Sequence, residues 1–303
     1  MAVVGAGYLG QHHVRILRDL PEVELVGFVE KDDGRAAEIS EKLGVRRLPD
    51  LSAVLGSCEA ATVVVPTAAH ADVAGRLLEG GLDVLVEKPV TTTPAEARAL
   101  IAAAAAGQRV LAVGHVERHN PAVEAVLKLQ PQARFVQAER LGVWVGRSLD
   151  IDVILDLMIH DIDVLLALVK EEVAEVRAIG VPVLTDRVDL ANVRIAFAGG
   201  AVANLTASRV SADRVRKIRV FQRDAYYSID TQAKEVTAYR LVRGDGAATI
   251  EKVEVPVEPI DPLTAELKDF AACVRERGVP KVTGRDGLRA LEIARRILDE
   301  MTR

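Results

Sequence analysis

The stretch Ala2-Val3-Val4-Gly5-Ala6-Gly7-Tyr8-Leu9-Gly10 decides the fold. Three small apolar residues read as a buried strand, and they run directly into G-x-G-x-x-G. A helical pattern follows, with Leu9, Val14, Leu17 and Leu20 apolar. Glycines in this spacing are a weak signal alone, but between a strand and a helix they have the context a dinucleotide site needs. Gly5 permits the tight turn, Gly7 the close approach of backbone N–H groups to a pyrophosphate, and Gly10 close helix–strand packing. Tyr8 and Leu9 lie inside the same loop and join it as cofactor-binding candidates.

The next strand, Glu24 to Glu30, ends in a carboxylate about 20 residues after Gly10, where the fingerprint places the ribose ligand. A carboxylate there accepts from a 2′-hydroxyl and repels a 2′-phosphate, which points to NAD rather than NADP. Helices and short apolar strands then alternate: helix 34–43, strands 45–48 and 61–66, helix 69–79, strand 82–87, helix 94–106 and strand 109–114. This is the pattern of a doubly wound parallel sheet.

Within it, Asp83-Val84-Leu85-Val86 ends in Glu87-Lys88-Pro89. Pro89 lacks an N–H, so the strand stops there and its last residues face the carboxyl edge of the sheet, where ligands of open α/β sheets bind. Pro66, Thr67 and His70 fall at the same edge, as does His115 after Gly114. Asn120-Pro121 reads as a helix cap followed by a first-turn proline. The expected division is a nucleotide-binding domain over 1–117 and a second domain over 118–303.

The second half changes character. A strand at 134–142 and a glycine-bearing loop, Gly142 to Asp150, precede an apolar helix from Ile151 onward. Asp152, Asp156, His160 and Asp163 interrupt that helix at i, i+4, i+8 and i+11, which puts them on one face. Burying such a row is costly without partners, so Asp156 and His160 are candidates for function. Strands are expected at 173–184, 188–197, 201–209, 215–221, 225–230, 234–243 and 249–255, with Gly199-Gly200 as a hairpin turn. Helices at 262–276 and 285–301 close the chain and are free to pack back on the first domain. The fold class is α/β: a Rossmann sheet plus an α+β domain with a large, mostly antiparallel sheet. One face of that sheet, with Val181, Val183, Val193 and Ile195 available, is expected to join subunits into a dimer or tetramer.

Composition narrows the function. The 303 residues suit two domains, half of them are apolar, and the net charge is −5 with signs interspersed. There is no basic tract, which argues against nucleic acid. No run reaches the roughly 18 apolar residues of a membrane span. Cys58 and Cys273 form neither a disulfide framework nor a metal-ligand spacing. The expectation is a cytoplasmic protein without a signal peptide or a metal.

Together, GAGYLG, the acidic end of the second strand, Glu87-Lys88-Pro89, Gly114-His115 and Asp156-x-x-x-His160 resemble the Gfo/Idh/MocA family of nicotinamide-dependent oxidoreductases, in order and over essentially the whole chain. The resemblance implies that Lys88 and His160 flank the substrate carbon, that Asp156 assists them, and that His115 lines cofactor and substrate. Glu30 stands for the commoner aspartate, and His119 where many relatives carry an aromatic residue. More narrowly, GHVERHNPA, LDLMIHDIDVLL, GVPVLTDRVDLANVRIAF and NLTASR resemble a branch that oxidises C3 of UDP-N-acetylglucosamine to a keto sugar, upstream of an aminotransferase in making diamino-sugar lipid A. Under that reading Arg118, Arg140 and Arg209 are candidates to hold the diphosphate or sugar. Two alternatives stand beside it: an inositol or free-sugar dehydrogenase, and a catalytically silent sensor of dinucleotide and sugar.

Overall fold

The computed structural model describes residues 1–146, 151–243 and 247–302; residues 147–150 of the expected Gly142–Asp150 loop lie outside them. The chain forms two compact units, residues 1–116 with 262–289, and residues 117–261 with 290–303.

The first unit is built in chain order from β1 (Ala2–Val4), α1 (Gly10–Asp19), β2 (Gly27–Val29), α2 (Asp33–Leu43), α3 (Leu51–Leu55), β3 (Ala60–Val63), α4 (His70–Glu79), β4 (Asp83–Glu87), α5 (Pro94–Gly107) and β5 (Leu111–Gly114). The five strands are all parallel, in the order β2-β1-β3-β4-β5. The order reverses at β1, so the crevice outside the carboxyl ends of β1 and β3 is the ligand position of a doubly wound sheet. Local chemistry sets the helix starts. Asp32 accepts the Arg35 amide at 2.8 Å, and Thr93 and Glu96 form a capping box ahead of Pro94. Residues 45–48 do not form the expected strand. Arg47 makes only an isolated bridge to Phe28, and the short helix α3 follows without having been foreseen.

In the second unit come α6 (Pro121–Lys128), β6 (Phe135–Leu141), a π-helical turn (Ile154–Met158), α7 (Ile159–Leu168), β7 (Val173–Val181), β8 (Leu190–Phe197), β9 (Val202–Ser208), β10 (Val215–Phe221), β11 (Ala225–Asp230), β12 (Glu235–Val242) and β13 (Thr249–Val253). The strands form one sheet, β13-β12-β11-β10-β6-β9-β8-β7, antiparallel throughout except for the β6–β9 pair. Ile154, Met158, Ile159, Ile162 and Leu165 share a core with Val136, Val193, Ile195, Leu205, Ile218 and Val220 of the sheet. α8 (Pro262–Glu276) lies in the first unit, and α9 (Gly284–Met301) begins there and ends in the second.

Two expectations need correction. Val193 and Ile195 are fully buried on the helix-covered face, because side chains alternate with period two and β8 buries its odd positions. Val181 and Val183 are exposed. The uncovered face instead carries a ladder, Phe135–Phe221–Tyr226–Tyr239, with ring centroids 5.7, 4.8 and 6.3 Å apart. The expected buried row on the charged helix is also revised. Asp152, Asp156 and His160 are half-buried, whereas Asp161 and Asp163 are buried. The π turn widens the helix at Asp156, so regular i+4 counting does not hold through it.

Candidate active site

In the first unit the glycine loop is shaped by contacts that only glycine allows. Gly5 has φ +92°, and a Cβ there would lie 2.6 Å from the Val64 carbonyl oxygen; one at Gly10 would lie 2.0 Å from the Gly5 carbonyl oxygen. Nothing lies within 4 Å of the Cβ position of Gly7, so that side of the loop is open for a bulky anion to reach the amides at the start of α1. Tyr8 is exposed, Leu9 borders on exposed, and Tyr8 meets His12 edge-on. Glu30 accepts the Ala6 amide at 3.0 Å and the Asp32 amide at 3.1 Å, and Arg35 lies 3.9 Å away. A carboxylate tied to the glycine loop at the end of β2 fits a ribose diol, so loop and acid together fit a dinucleotide.

Pro66 is exposed and Thr67 half-buried at the start of the turn after β3. His70, a cofactor-lining candidate by sequence, is buried, and its ring nitrogens lie 2.8 Å from the Pro89 and Val65 carbonyl oxygens. It ties the two strand-end loops to each other, with no ring nitrogen left for a ligand. Lys88 is half-buried at the end of β4, and the peptide bond to Pro89 is cis. Glu87, also expected at the cofactor, turns its carboxylate inward to His13 of α1, with Nε2 to Oε1 at 3.2 Å. His115 is fully buried after β5.

In the second unit Asp152 accepts the Val188 amide at 3.0 Å, anchoring the start of the charged helix. Asp156 follows in the π turn and His160 in α7. The back of α7 is clamped by arginines. Arg140 on β6 makes a bidentate pair with Asp161 at 2.8 and 2.7 Å and donates to Glu117 at 2.8 Å. Burial alone would lower Arg140, but the two facing carboxylates hold it well above the ordinary arginine value, so it stays charged. Arg118 reaches Asp163 at 3.3 Å. Arg209 approaches Asp189 at 3.5 Å, and donates to the Val188 carbonyl at 3.3 Å and to the Ile151 carbonyl. All three arginines proposed for a diphosphate are therefore engaged with interior partners; Arg140 and Arg209 are buried. Sequence reading passed over Arg216, which sits opposite Arg140 in the β6–β10 register and is lowered by burial and then by Arg140. It also passed over His13, although its i+4 spacing from Leu9 and to Leu17 marks it as a polar residue on an apolar face.

Residues 1–115 match the family described as "Oxidoreductase family, NAD-binding Rossmann fold", and residues 95–227 match the "GFO/IDH/MocA C-terminal domain". The chain is 37% identical over 295 residues to a UDP-N-acetylglucosamine 3-dehydrogenase of Acidithiobacillus ferrooxidans, covering 96% of this chain and 94% of that one. A solved structure of that enzyme superposes with a TM-score of 0.92 at 36% identity, over 99% of this chain and 96% of the other. A scyllo-inositol 2-dehydrogenase (NAD(+)) of Bacillus subtilis is 26% identical over 318 residues, covering 96% and 91%.

Proposed function

Since the chain belongs to the Gfo/Idh/MocA family of NAD-dependent oxidoreductases, we propose that it oxidises the C3 hydroxyl of UDP-N-acetylglucosamine to the 3-keto sugar. The observation that carries this reading is the 37% identity, spread over nearly the full length, to an enzyme named for that reaction. The inositol dehydrogenase is a more distant relative at 26%.

NAD is the cofactor; the glycine loop and Glu30 would hold it, and it would supply the hydride acceptor for the carbinol carbon. The chain's own residues supply the rest. His160 takes the hydroxyl proton at a ring nitrogen, imidazole being the commonest general base. The Lys88 ammonium donates to the oxygen as alkoxide charge develops. Asp156, preceding His160 across the π turn, orients that imidazole. His115 helps seat the substrate, while Arg118, Arg140 and Arg209 fix the scaffold behind it. Glu30 selects the 2′-hydroxyl form of the cofactor.

The aromatic ladder on the uncovered face of the second sheet supports self-association into a dimer or tetramer through that face. Both cysteines are free, and no helix among the described residues is long and apolar enough to cross a membrane. Both observations accord with a cytoplasmic enzyme.

The test mixes the protein with NAD and UDP-N-acetylglucosamine in the presence of a carbonyl trap, which offsets an unfavourable keto-sugar equilibrium. NADH should appear together with the trapped adduct of a sugar two hydrogens lighter. NADH formation with myo- or scyllo-inositol and none with the UDP-sugar would replace this reading with the polyol one. NAD binding without turnover of any of these would favour a sensor.

A further inference from the structure

Behind Lys88 lies a cluster that the mechanism above does not use. His13 from α1, Glu87 from the end of β4 and Glu266 from α8 are 0%, 7% and 2% exposed. One ligating atom from each lies within 4.8 Å of the others. Buried carboxyl groups need a nearby polar or charged partner, and the His13 imidazole is one for Glu87. Oε2 of Glu87 accepts the Lys88 amide at 3.2 Å. The same carboxylate packs on Gly114: a Cβ there would lie 2.7 Å from Oε1 and 2.9 Å from Oε2. One carboxylate thus touches the main chain of Lys88, the glycine immediately before His115, and the helix that follows the glycine loop. Because it faces the interior, its route to the chemistry runs through the backbone it holds.

We propose that Glu87 is a positioning residue. Held by His13, it sets the main chain from which Lys88 projects and the close approach of β5 that seats His115. The proposal rests on the role given to Lys88 under Proposed function. It explains why position 114 is glycine, since any side chain there would displace the carboxylate.

The test is a double-mutant cycle with substrate and NAD, with product followed by mass spectrometry over hours so that slow variants are measurable. Glu87→Gln keeps the shape and removes the charge. In the otherwise native protein it should lower kcat about tenfold, with NAD affinity and Tm close to those of the unmodified protein. A purely structural role would instead lower Tm and leave the kcat of the folded fraction unchanged. In a Lys88→Ala background, Glu87→Gln should cost clearly less than tenfold, the remainder passing through the seat of His115. The same tenfold loss in both backgrounds overturns the proposal. So does an unchanged kcat in Glu87→Gln while Lys88→Ala is inactive, which leaves the Lys88 role standing. A fully active Lys88→Ala removes the Lys88 role and the proposal with it. Should Glu87→Gln fail to fold, His13→Gln tests the same contact from the helix side, with the same expected non-additivity. Stoichiometric divalent metal in the purified protein, with kcat lost on its removal, would make the cluster a metal site and overturn the positioning account.

Discussion

In the first unit the candidate residues hang from strand ends, whereas in the second they ride on one helix. Lys88 leaves β4 on a short loop held by main-chain contacts, His70 to the Val65 and Pro89 carbonyls and Glu87 to the Lys88 amide, while His115 follows Gly114 at the end of β5. Asp156 and His160 are presented by a helix whose opposite side is fixed by charged side chains, Arg140 to Asp161 and Arg118 to Asp163. Precision therefore has two sources. In the first unit it comes from close packing around glycine and from bonds to backbone atoms. In the second it comes from buried ion pairs, which tolerate the loss of a partner poorly.

The comparison breaks first if the two presented groups are not both essential. Lys88→Ala and His160→Ala should each lower kcat by about 10²–10⁴-fold, as removal of a proton-transfer group does, while a titration with NAD shows near-native binding. The next effect is on stability. Arg140→Ala strands two carboxylates and should cost about 3–5 kcal/mol in denaturant unfolding. The longer pair that Arg118 makes with Asp163, at 3.3 Å, should cost visibly less. Gly114→Ala sharpens the contrast from the other unit. A methyl group placed against the Glu87 carboxylate should cost about 1–3 kcal/mol and lower kcat without a comparable rise in the KM for NAD.

The smallest effect concerns Asp189, buried immediately before β8. Burial pushes its carboxyl up, but the Val183, Leu184 and Thr185 amides and the Thr185 hydroxyl donate to it and bring it down to about 2. A carboxyl lowered on folding contributes stability above the ordinary pKa near 4 and loses it as pH falls toward 2. Asp189→Asn should therefore cost about 1–2 kcal/mol at neutral pH, because the amide oxygen still accepts from part of that donor set. Urea unfolding against pH should show its deficit shrinking between about pH 4 and 2.

Much of the candidate site was legible because its signals are local. Gly5, Gly7 and Gly10 announce their loop by spacing, Glu30 by distance from it, and Lys88 by the proline that ends its strand. Asp156 and His160 stood out as charges in an apolar run. What escaped depends on register between distant segments. Arg140 meets Asp161 only because β6 lies under α7, and no spacing reveals that pairing, so Arg140 looked available to a ligand. Val193 and Ile195 were placed on the wrong face because one residue of parity decides which side of β8 is covered. The π turn at Ile154–Met158 leaves no mark in residue types and shifts the facing of Asp156. His70 looked like a ligand because its sequence position is right; only the two carbonyl oxygens at 2.8 Å show that it is a tie.

The most direct measurement uses UDP-N-acetylglucosamine carrying deuterium at C3. Oxidation at that carbon predicts one deuterium on the reduced nicotinamide and none at C3 of the keto product, with both read by mass spectrometry. Unlabelled NADH formed from the labelled sugar, or a product that retains its deuterium, would contradict oxidation at C3.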